Sequence, residues 1–258
     1  MSSTLGLHTT KAARLVDDLP LRLASSSRVI TVQPDKRSRL VFLTEPAGLA
    51  VEQYKMLRRR LCTLHPHGGV MLITSPNPGE GKTLTSINLS WCLAEGGQHT
   101  CLVDLDFRAP GIGAALGYKF EEDCIEDALT GKRSISQSLR QIGNLSLHVL
   151  GVGERLTSPG QLLASTSLNP LINNLRNMFQ WVVLDFAPVI PMSDVIEALP
   201  YVDGVLMVVR SGKTDKSMIV PSLELLGAKL LGVILNDSTI NGSAYYGYYG
   251  RRKDQRQM

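Results

Sequence analysis

Residues 72–83 read L-I-T-S-P-N-P-G-E-G-K-T, an apolar strand that runs directly into a Gly-Lys-Thr turn. This pattern is typical of a phosphate-binding loop, because small residues let backbone N–H groups surround phosphate oxygens at the start of a helix. In such a loop Lys82 reaches the β- and γ-phosphates, and the Thr83 hydroxyl can ligate Mg²⁺. The usual pattern begins with glycine, whereas Pro76 stands at that position here. The predicted nucleotide contacts in the loop are Pro78, Gly79, Glu80, Gly81, Lys82, Thr83 and Leu84.

Two later apolar segments end in aspartates. Residues 101–106 read C-L-V-D-L-D and residues 182–185 read V-V-L-D. A single D-x-D motif is weak evidence, since a turn or a helix cap explains it about as well. Two strand-terminal carboxylate motifs behind a phosphate loop are stronger, because they supply hard oxygen ligands for a Mg²⁺ ion that bridges nucleotide phosphates. The predicted metal ligands are Thr83, Asp104, Asp106 and Asp185, and the two carboxylates at i and i+2 are expected on one side of a strand.

Apolar runs alternate with amphipathic stretches along most of the chain. The expected strands are 70–75, 100–105, 145–151, 181–185, 204–210 and 230–235. This alternation predicts an α/β fold with a doubly wound, mostly parallel sheet that helices flank on both faces. Ligands of such sheets bind beyond the carboxyl ends of the strands, where the motifs are expected to converge. Arg210 and Asn236, at two of these ends, are candidates for nucleotide contact, although each is also an ordinary strand-end polar residue.

Composition limits the classes of protein to consider. The chain has 258 residues, 43% of them hydrophobic, which suits one α/β domain with appendages. It contains no uninterrupted apolar run of about 18 residues and no compact signal segment at its start, so we expect a cytoplasmic protein. Its four cysteines form no C-x-x-C pair, which favours reduced thiols over a metal or disulfide framework.

Charge is distributed unevenly. Residues 1–44 carry seven basic and three acidic side chains, and residues 251–258 carry four and one. The formal net charge of +4 therefore conceals a mildly acidic body with basic ends. This pattern argues against a groove built for nucleic acid. It fits solvated tails and, equally well, attraction to an anionic membrane surface or an acidic partner.

Periodicity divides the chain into three segments. Residues 1–44 are polar, show no sustained period and are predicted to be mostly disordered. Residues 45–240 are predicted to form the nucleotide-binding domain, beginning with a helix whose first turn suits Pro46. The apolar stripe of that helix recurs at spacings of three and four, at Tyr54, Leu57, Leu61 and Leu64. Residues 241–258 are predicted to be a flexible tail.

The tail holds four of the chain's seven tyrosines within residues 245–249. Its glycines and charges argue against a packed strand or helix, because few other apolar groups are available to bury. A flexible run of accessible phenols beside a kinase-type site predicts phosphate acceptors at Tyr245, Tyr246, Tyr248 and Tyr249. The alternatives are an adhesive aromatic tail and a chance cluster. Each phosphate adds about −1.5 to −2 charges at neutral pH, so full modification would reverse the positive charge of this end.

Taken in order, these elements resemble the bacterial tyrosine kinases (BY-kinases) of capsule and exopolysaccharide export. The resemblance covers about residues 45–250. It rests on the P-G-E-G-K-T loop, the apolar-D-x-D-x-R motif that ends at Arg108, the apolar-D-x-x-P motif at the second aspartate and the tyrosine cluster. The family forms rings through an E-x-x-R-x-x-R helix. Glu52, Lys55 and Arg58 correspond to that motif here, with lysine in place of its first arginine.

The resemblance implies an ATP- and Mg²⁺-dependent autokinase that phosphorylates the tyrosine cluster of a neighbour in a ring. The implied catalytic residues are Lys82, Asp104, Asp106 and Asp185, and Arg108 and Asn236 are added to the nucleotide contacts. Asp106 is our choice for activating the phenol, although the motif does not separate its role from that of Asp104. The family further implies an activator, a membrane polysaccharide chain-length regulator, which would recruit the chain to the inner face of the cell membrane.

Two other classes of protein share this loop and this fold. One is a MinD/ParA-like positioning ATPase, but most of these place a second lysine five residues before the loop lysine, where Asn77 stands here. The other is a nucleotide-binding scaffold subunit without kinase activity, which the sequence does not exclude. Phosphotyrosine formation in the presence of Mg²⁺ and ATP separates the kinase from both alternatives.

Overall fold

The computed structural model describes residues 28–33, 38–156, 159–163, 165–191 and 194–238. In these ranges, eight strands form one sheet. They are β1 (Arg28–Ile30), β2 (Gly69–Thr74), β3 (Thr100–Asp104), β4 (Arg140–Ile142), β5 (Leu147–Leu150), β6 (Trp181–Asp185), β7 (Gly204–Arg210) and β8 (Leu230–Asn236).

Helices connect these strands. The described α-helices are α1 (Val41–Thr44), α2 (Leu49–Leu64), α3 (Lys82–Glu95), α4 (Ile112–Leu116), α5 (Ile125–Leu129), α6 (Ile135–Ser138), α7 (Ser165–Met178), α8 (Asp194–Ala198) and α9 (Lys216–Leu226). Short 3₁₀ helices lie at Pro159–Gln161, Leu199–Tyr201 and Gly227–Lys229. None of the helices described here combines the length and the apolar character needed to cross a bilayer.

The strands lie in the order β1-β4-β5-β3-β6-β2-β7-β8. The six strands from β5 to β8 in this order are parallel to their neighbours, whereas β4 is antiparallel to β5 and carries β1 parallel to itself. The predicted fold class is confirmed, since the sheet is mostly parallel and helices flank it. All six expected strands are present with small shifts at their ends, while β1 and β4 are not predicted.

Each face of the sheet has its own hydrophobic core. One core takes side chains from α7, α8 and α9, and the other takes side chains from α2 and α3. Strands β2, β3 and β6 are buried along their whole length because both faces are covered. A parallel sheet of this kind places the carboxyl ends of its strands at one edge of the molecule, where loops can build a site.

The N-terminal part of the chain departs from expectation. Residues 1–44 are predicted to be mostly disordered, but the described pieces of that segment contain β1 and α1. β1 exists because it pairs with β4, a long-range contact that local periodicity does not contain. The expected stripe of α2 packs on the core through Tyr54, Leu57 and Leu61. Pro46 precedes the helix instead of entering its first turn, because α2 begins at Leu49.

Candidate active site

The phosphate loop joins β2 to α3. Gly79 and Gly81 have φ angles of +77° and +94°, a region that favours glycine. Gly81 also needs its lack of a side chain, since an added Cβ would lie 2.1 Å from Asn236 Nδ2. That amide donates to the Glu80 carbonyl oxygen at 2.9 Å. Asn236, a predicted nucleotide contact, therefore braces the loop backbone from the end of β8.

Lys82 is the first residue of α3, so its ammonium group and the free N–H groups of the helix start belong to one positively charged corner. The side chain is buried, and its Nζ lies 3.7 Å from Asp106 Oδ2. Thr83 follows on the helix, and its hydroxyl lowers the pKa of the Asp185 carboxyl group, against the larger opposite effect of burial. The structure thus brings Lys82, Thr83, Asp106 and Asp185 together.

Asp104 and Asp185 are neighbours in register at the ends of β3 and β6. Asp104 turns both oxygens toward backbone N–H groups: Oδ1 accepts from Asp106 at 3.1 Å, and Oδ2 accepts from Ile112 at 3.2 Å and Gly111 at 3.3 Å. Burial raises its pKa well above the ordinary value, and the charge of Asp185 raises it further. Asp104 therefore fixes the course of the chain from 106 to 112.

Asp106 lies in the turn after β3, which ends at Asp104, so the strand rule that would place both carboxylates on one side does not apply. Its Oδ1 accepts from the Ala109 N–H at 3.1 Å, while Oδ2 faces Lys82. The sequence did not separate the two aspartates. In the structure Asp104 is engaged with the backbone and Asp106 faces the loop lysine.

Asp185 is a buried carboxyl group with an incomplete set of hydrogen-bond partners in the described residues. Its Oδ1 accepts from Ser86 Oγ at 3.0 Å, and its buried Oδ2 has no hydrogen-bond partner in the part of the chain that the structure describes. Burial raises its pKa to about 6, against the opposing effects of Lys82 and Thr83. Sequence reasoning missed Ser86, although its position one helical turn after Lys82 was the available signal.

These residues fit a divalent cation. An orphaned carboxylate oxygen, two carboxyl groups with raised pKa values and a nearby threonine hydroxyl are the oxygen donors that Mg²⁺ takes, together with waters and phosphates. Within the described ranges no group of three or more acidic, histidine or cysteine side chains is arranged to hold a metal alone.

Arg108 pairs with a second acidic residue, Asp194, in this structure. Its Nε donates to Asp194 Oδ2 at 3.0 Å, at the first residue of α8. Because Arg108 and Asp194 are 86 residues apart in the sequence, no local sequence pattern predicts their contact.

Arg210, the other strand-end candidate, contacts the loop more directly. Its Nη1 donates to the Gly79 carbonyl oxygen at 3.4 Å, and its Nε and Nη2 donate to Asp237 Oδ2 at 2.9 and 2.8 Å. A cavity of about 910 Å³ adjoins the loop at this point. Its walls come from the loop glycines, α2, α3 and the ends of β7 and β8, and Leu84 is among its lining residues.

The acceptor tyrosines Tyr245, Tyr246, Tyr248 and Tyr249 lie outside the described residues, so their predicted role stays a prediction.

The residues of the predicted ring motif lie within the described part of the chain. On α2, Lys55 Nζ contacts Glu52 Oε1 at 2.8 Å at the protein surface, and Arg58 Nη1 donates to the Cys92 carbonyl oxygen at 2.7 Å.

A glycine-containing loop between a buried strand and a helix, with carboxylates at the ends of the adjacent strands, defines a P-loop nucleotide-binding protein. Residues 70–233 match a family model described as an AAA domain. The chain is 30% identical over 220 residues to the tyrosine-protein kinase YwqD of Bacillus subtilis, a match that covers 83% of this chain and 92% of that protein. The chain belongs to the bacterial tyrosine-protein kinase family, and the predicted enzyme class is confirmed.

Three further similarities extend the comparison. The succinoglycan biosynthesis transport protein ExoP of Rhizobium meliloti is 33% identical over 183 residues, which are 69% of this chain and 23% of ExoP. The crystal structure of the chimerical protein CapA2B2 superposes with a TM-score of 0.72 at 25% identity, covering 86% of this chain and 98% of that one. The MinD protein of Pyrococcus horikoshii, solved with Mg-ADP, shares the fold alone, with 20% identity, a TM-score of 0.55 and coverage of 66% of this chain and 72% of that one.

Proposed function

We propose that this chain transfers the γ-phosphate of ATP to the tyrosines of the C-terminal cluster on a neighbouring copy. The observation that carries the proposal is the juxtaposition of Lys82 and Asp106, 3.7 Å apart, at the mouth of the phosphate loop. Lys82 would hold the phosphates, while the Asp106 carboxylate stands beside them to receive a proton. Positioning and charge neutralisation provide most of the rate enhancement in phosphoryl transfer.

The bond changes are simple. The phenol oxygen of the incoming tyrosine forms a bond to the γ-phosphorus, the bond from phosphorus to the β–γ bridging oxygen breaks, and ADP leaves. The phenol proton passes to Asp106. Mg²⁺, held through Thr83 and Asp185, would neutralise charge on the phosphates. Asp104 would maintain the turn that carries Asp106, and the cavity beside the loop glycines is our proposed place for the nucleoside.

The test uses the purified full-length chain with Mg²⁺ and ATP, followed by phosphosite mapping. We expect phosphotyrosine within residues 245–249, abolished by Lys82→Met and unaffected by Lys132→Met, a control at an exposed surface lysine. Robust ATP hydrolysis with an unmodified tail would favour the MinD/ParA-like positioning ATPase. Nucleotide binding without either reaction would favour the scaffold.

We further propose that the chain works as a homo-oligomer, a ring in the family manner. Support comes from the surface position of Glu52 and Lys55 on α2, where a second copy can reach them. Because lysine lacks the planar fork of arginine, its contact with a partner carboxylate is less specific. Light scattering of Lys55→Glu against Lys119→Glu, an exposed control, should show loss of the assembly only in the first variant.

The proposed activator is the cytoplasmic segment of a membrane polysaccharide chain-length regulator, and the proposed location is the inner face of the cell membrane. The name of ExoP, which places it in succinoglycan transport, supports a role in exopolysaccharide polymerisation and export. The basic ends of the chain would add attraction to anionic lipids. Flotation with vesicles of anionic or neutral lipid tests the proposed membrane location. We expect the chain to bind anionic vesicles more strongly than neutral ones, and salt to remove this difference.

A further inference from the structure

Strand β8 is the outermost strand on one side of the sheet, and one of its apolar faces is partly exposed in the described part of the chain. β8 pairs there with β7 alone. Leu231, Val233 and Leu235 are 36%, 50% and 59% exposed. By register, Val233 and Leu235 share a sheet face with Met207 and Val209, which are buried. The core surface therefore continues outward to the edge of the sheet.

This edge lacks the usual protection against another strand. Natural sheets guard an edge with charged residues, proline or a bulge. Residues 230–235 read L-L-G-V-I-L and contain neither charge nor proline. The one register irregularity between β7 and β8 lies at the beginning of the pairing, beside Val205. An open ladder edge with an apolar face is suited to receive an extended segment.

The segment that follows this edge in the sequence is the chain's own C-terminus. Description of the chain ends at Ser238, two residues after β8, and 20 residues follow. Residues 241 and 242 are Asn-Gly, the dipeptide most favoured in two-residue turns between antiparallel strands. A turn there places Tyr248 opposite Leu235. Tyr246 and Tyr248, two positions apart, would point to the same face.

We propose that residues 243–250 add to β8 of the same chain as an antiparallel strand, with Tyr248 over Leu235. Alone, the tail has too few apolar groups to hold an extended form, but β8 supplies both backbone partners and an apolar face. The short connection between β8 and residue 243 favours the chain's own tail over that of a second copy, because it gives the tail an effective concentration on the order of millimolar at β8.

This docking goes beyond the proposed function and does not depend on it. Its consequence for regulation does rest on the proposed kinase reaction: the docked tyrosines would be withheld from a neighbour's active site. A phosphate on Tyr248 would oppose the docking, because a charged group would be placed against apolar side chains.

Disulfide trapping tests the pairing directly. Leu235→Cys with Tyr248→Cys is compared with Val220→Cys and Tyr248→Cys, since Val220 is 58% exposed on α9. Both full-length proteins carry Cys62→Ser, because the other three cysteines are buried, and both are dephosphorylated and kept free of ATP. We expect the first pair to form an intramolecular disulfide on the order of tenfold faster than the control. Equal rates overturn the proposal, as does a disulfide that forms first between copies.

Hydrogen exchange provides a second, independent measurement on the same nucleotide-free protein. Val233→Lys should accelerate exchange of the β8 amides on the order of tenfold by releasing the tail, whereas Val220→Lys should leave it unchanged. Identical exchange of β8 in both variants and the wild type overturns the proposal. Because neither experiment requires phosphotransfer, an inactive enzyme would refute the proposed function and leave these results interpretable.

Discussion

Replacing Asp185 by asparagine should stabilise the nucleotide-free protein while abolishing phosphotransfer. The carboxylate is buried with one oxygen unpaired in the described structure, and burial raises its pKa from 3.8 to about 6. Above that pH the group is ionised in both folded and unfolded states, so carrying the charge into the interior costs about 3 kcal/mol. Asparagine keeps the shape and the oxygen that accepts from Ser86, but removes the charge.

The sign of the pH dependence distinguishes this explanation from a packing effect. As pH rises from about 4 to about 6, the unfolded state loses the Asp185 proton first, so the wild type loses stability over that window. Denaturant unfolding should therefore show an advantage for Asp185→Asn that is absent below about pH 4 and approaches about 3 kcal/mol at pH 7. Asp203→Asn is the control of opposite sign, because Asp203 accepts from Val70 and pairs with Arg176, which lower its pKa. An Asp185→Asn protein less stable than the wild type at pH 7 would refute the reasoning.

Two other perturbations give separable results. Gly81→Ala should lower thermal stability and weaken ADP binding in calorimetry more than Gly79→Ala, because both strain a positive φ angle but only the former forces Asn236 aside; equal effects would contradict this. Burial and the charge of His99 lower the pKa of His148 from 6.5 to about 4. Between these pH values the unfolded state binds the proton first, so the wild type should lose up to about 3 kcal/mol on acidification. The free energy of unfolding of His148→Leu should fall less over the same pH range. An equal fall in both proteins would contradict this prediction.

Local pattern was sufficient where the interactions are local. The phosphate loop, the six parallel strands and the stripe of α2 follow from periodicity and turn residues along short stretches. Strands β1 and β4 escaped prediction because each has three residues and exists through its pairing with another strand. The same limit applies to the site: the contacts from Arg108 to Asp194 and from Asn236 to Glu80 join distant positions. The sequence also did not show that β3 ends at Asp104, so it could not place Asp106 in the turn after the strand.

Transfer between copies is the central claim, and a mixing experiment tests it most directly. A Lys82→Met chain with an intact tail is combined with an active chain whose four cluster tyrosines are phenylalanine, together with Mg²⁺ and ATP. Neither protein alone should acquire phosphate on the cluster. We predict that the mixture places phosphate on residues 245–249 of the Lys82→Met chain, detected by mass spectrometry of the separated proteins. An unmodified tail in the mixture, under conditions in which the wild type modifies its own cluster, would contradict the account.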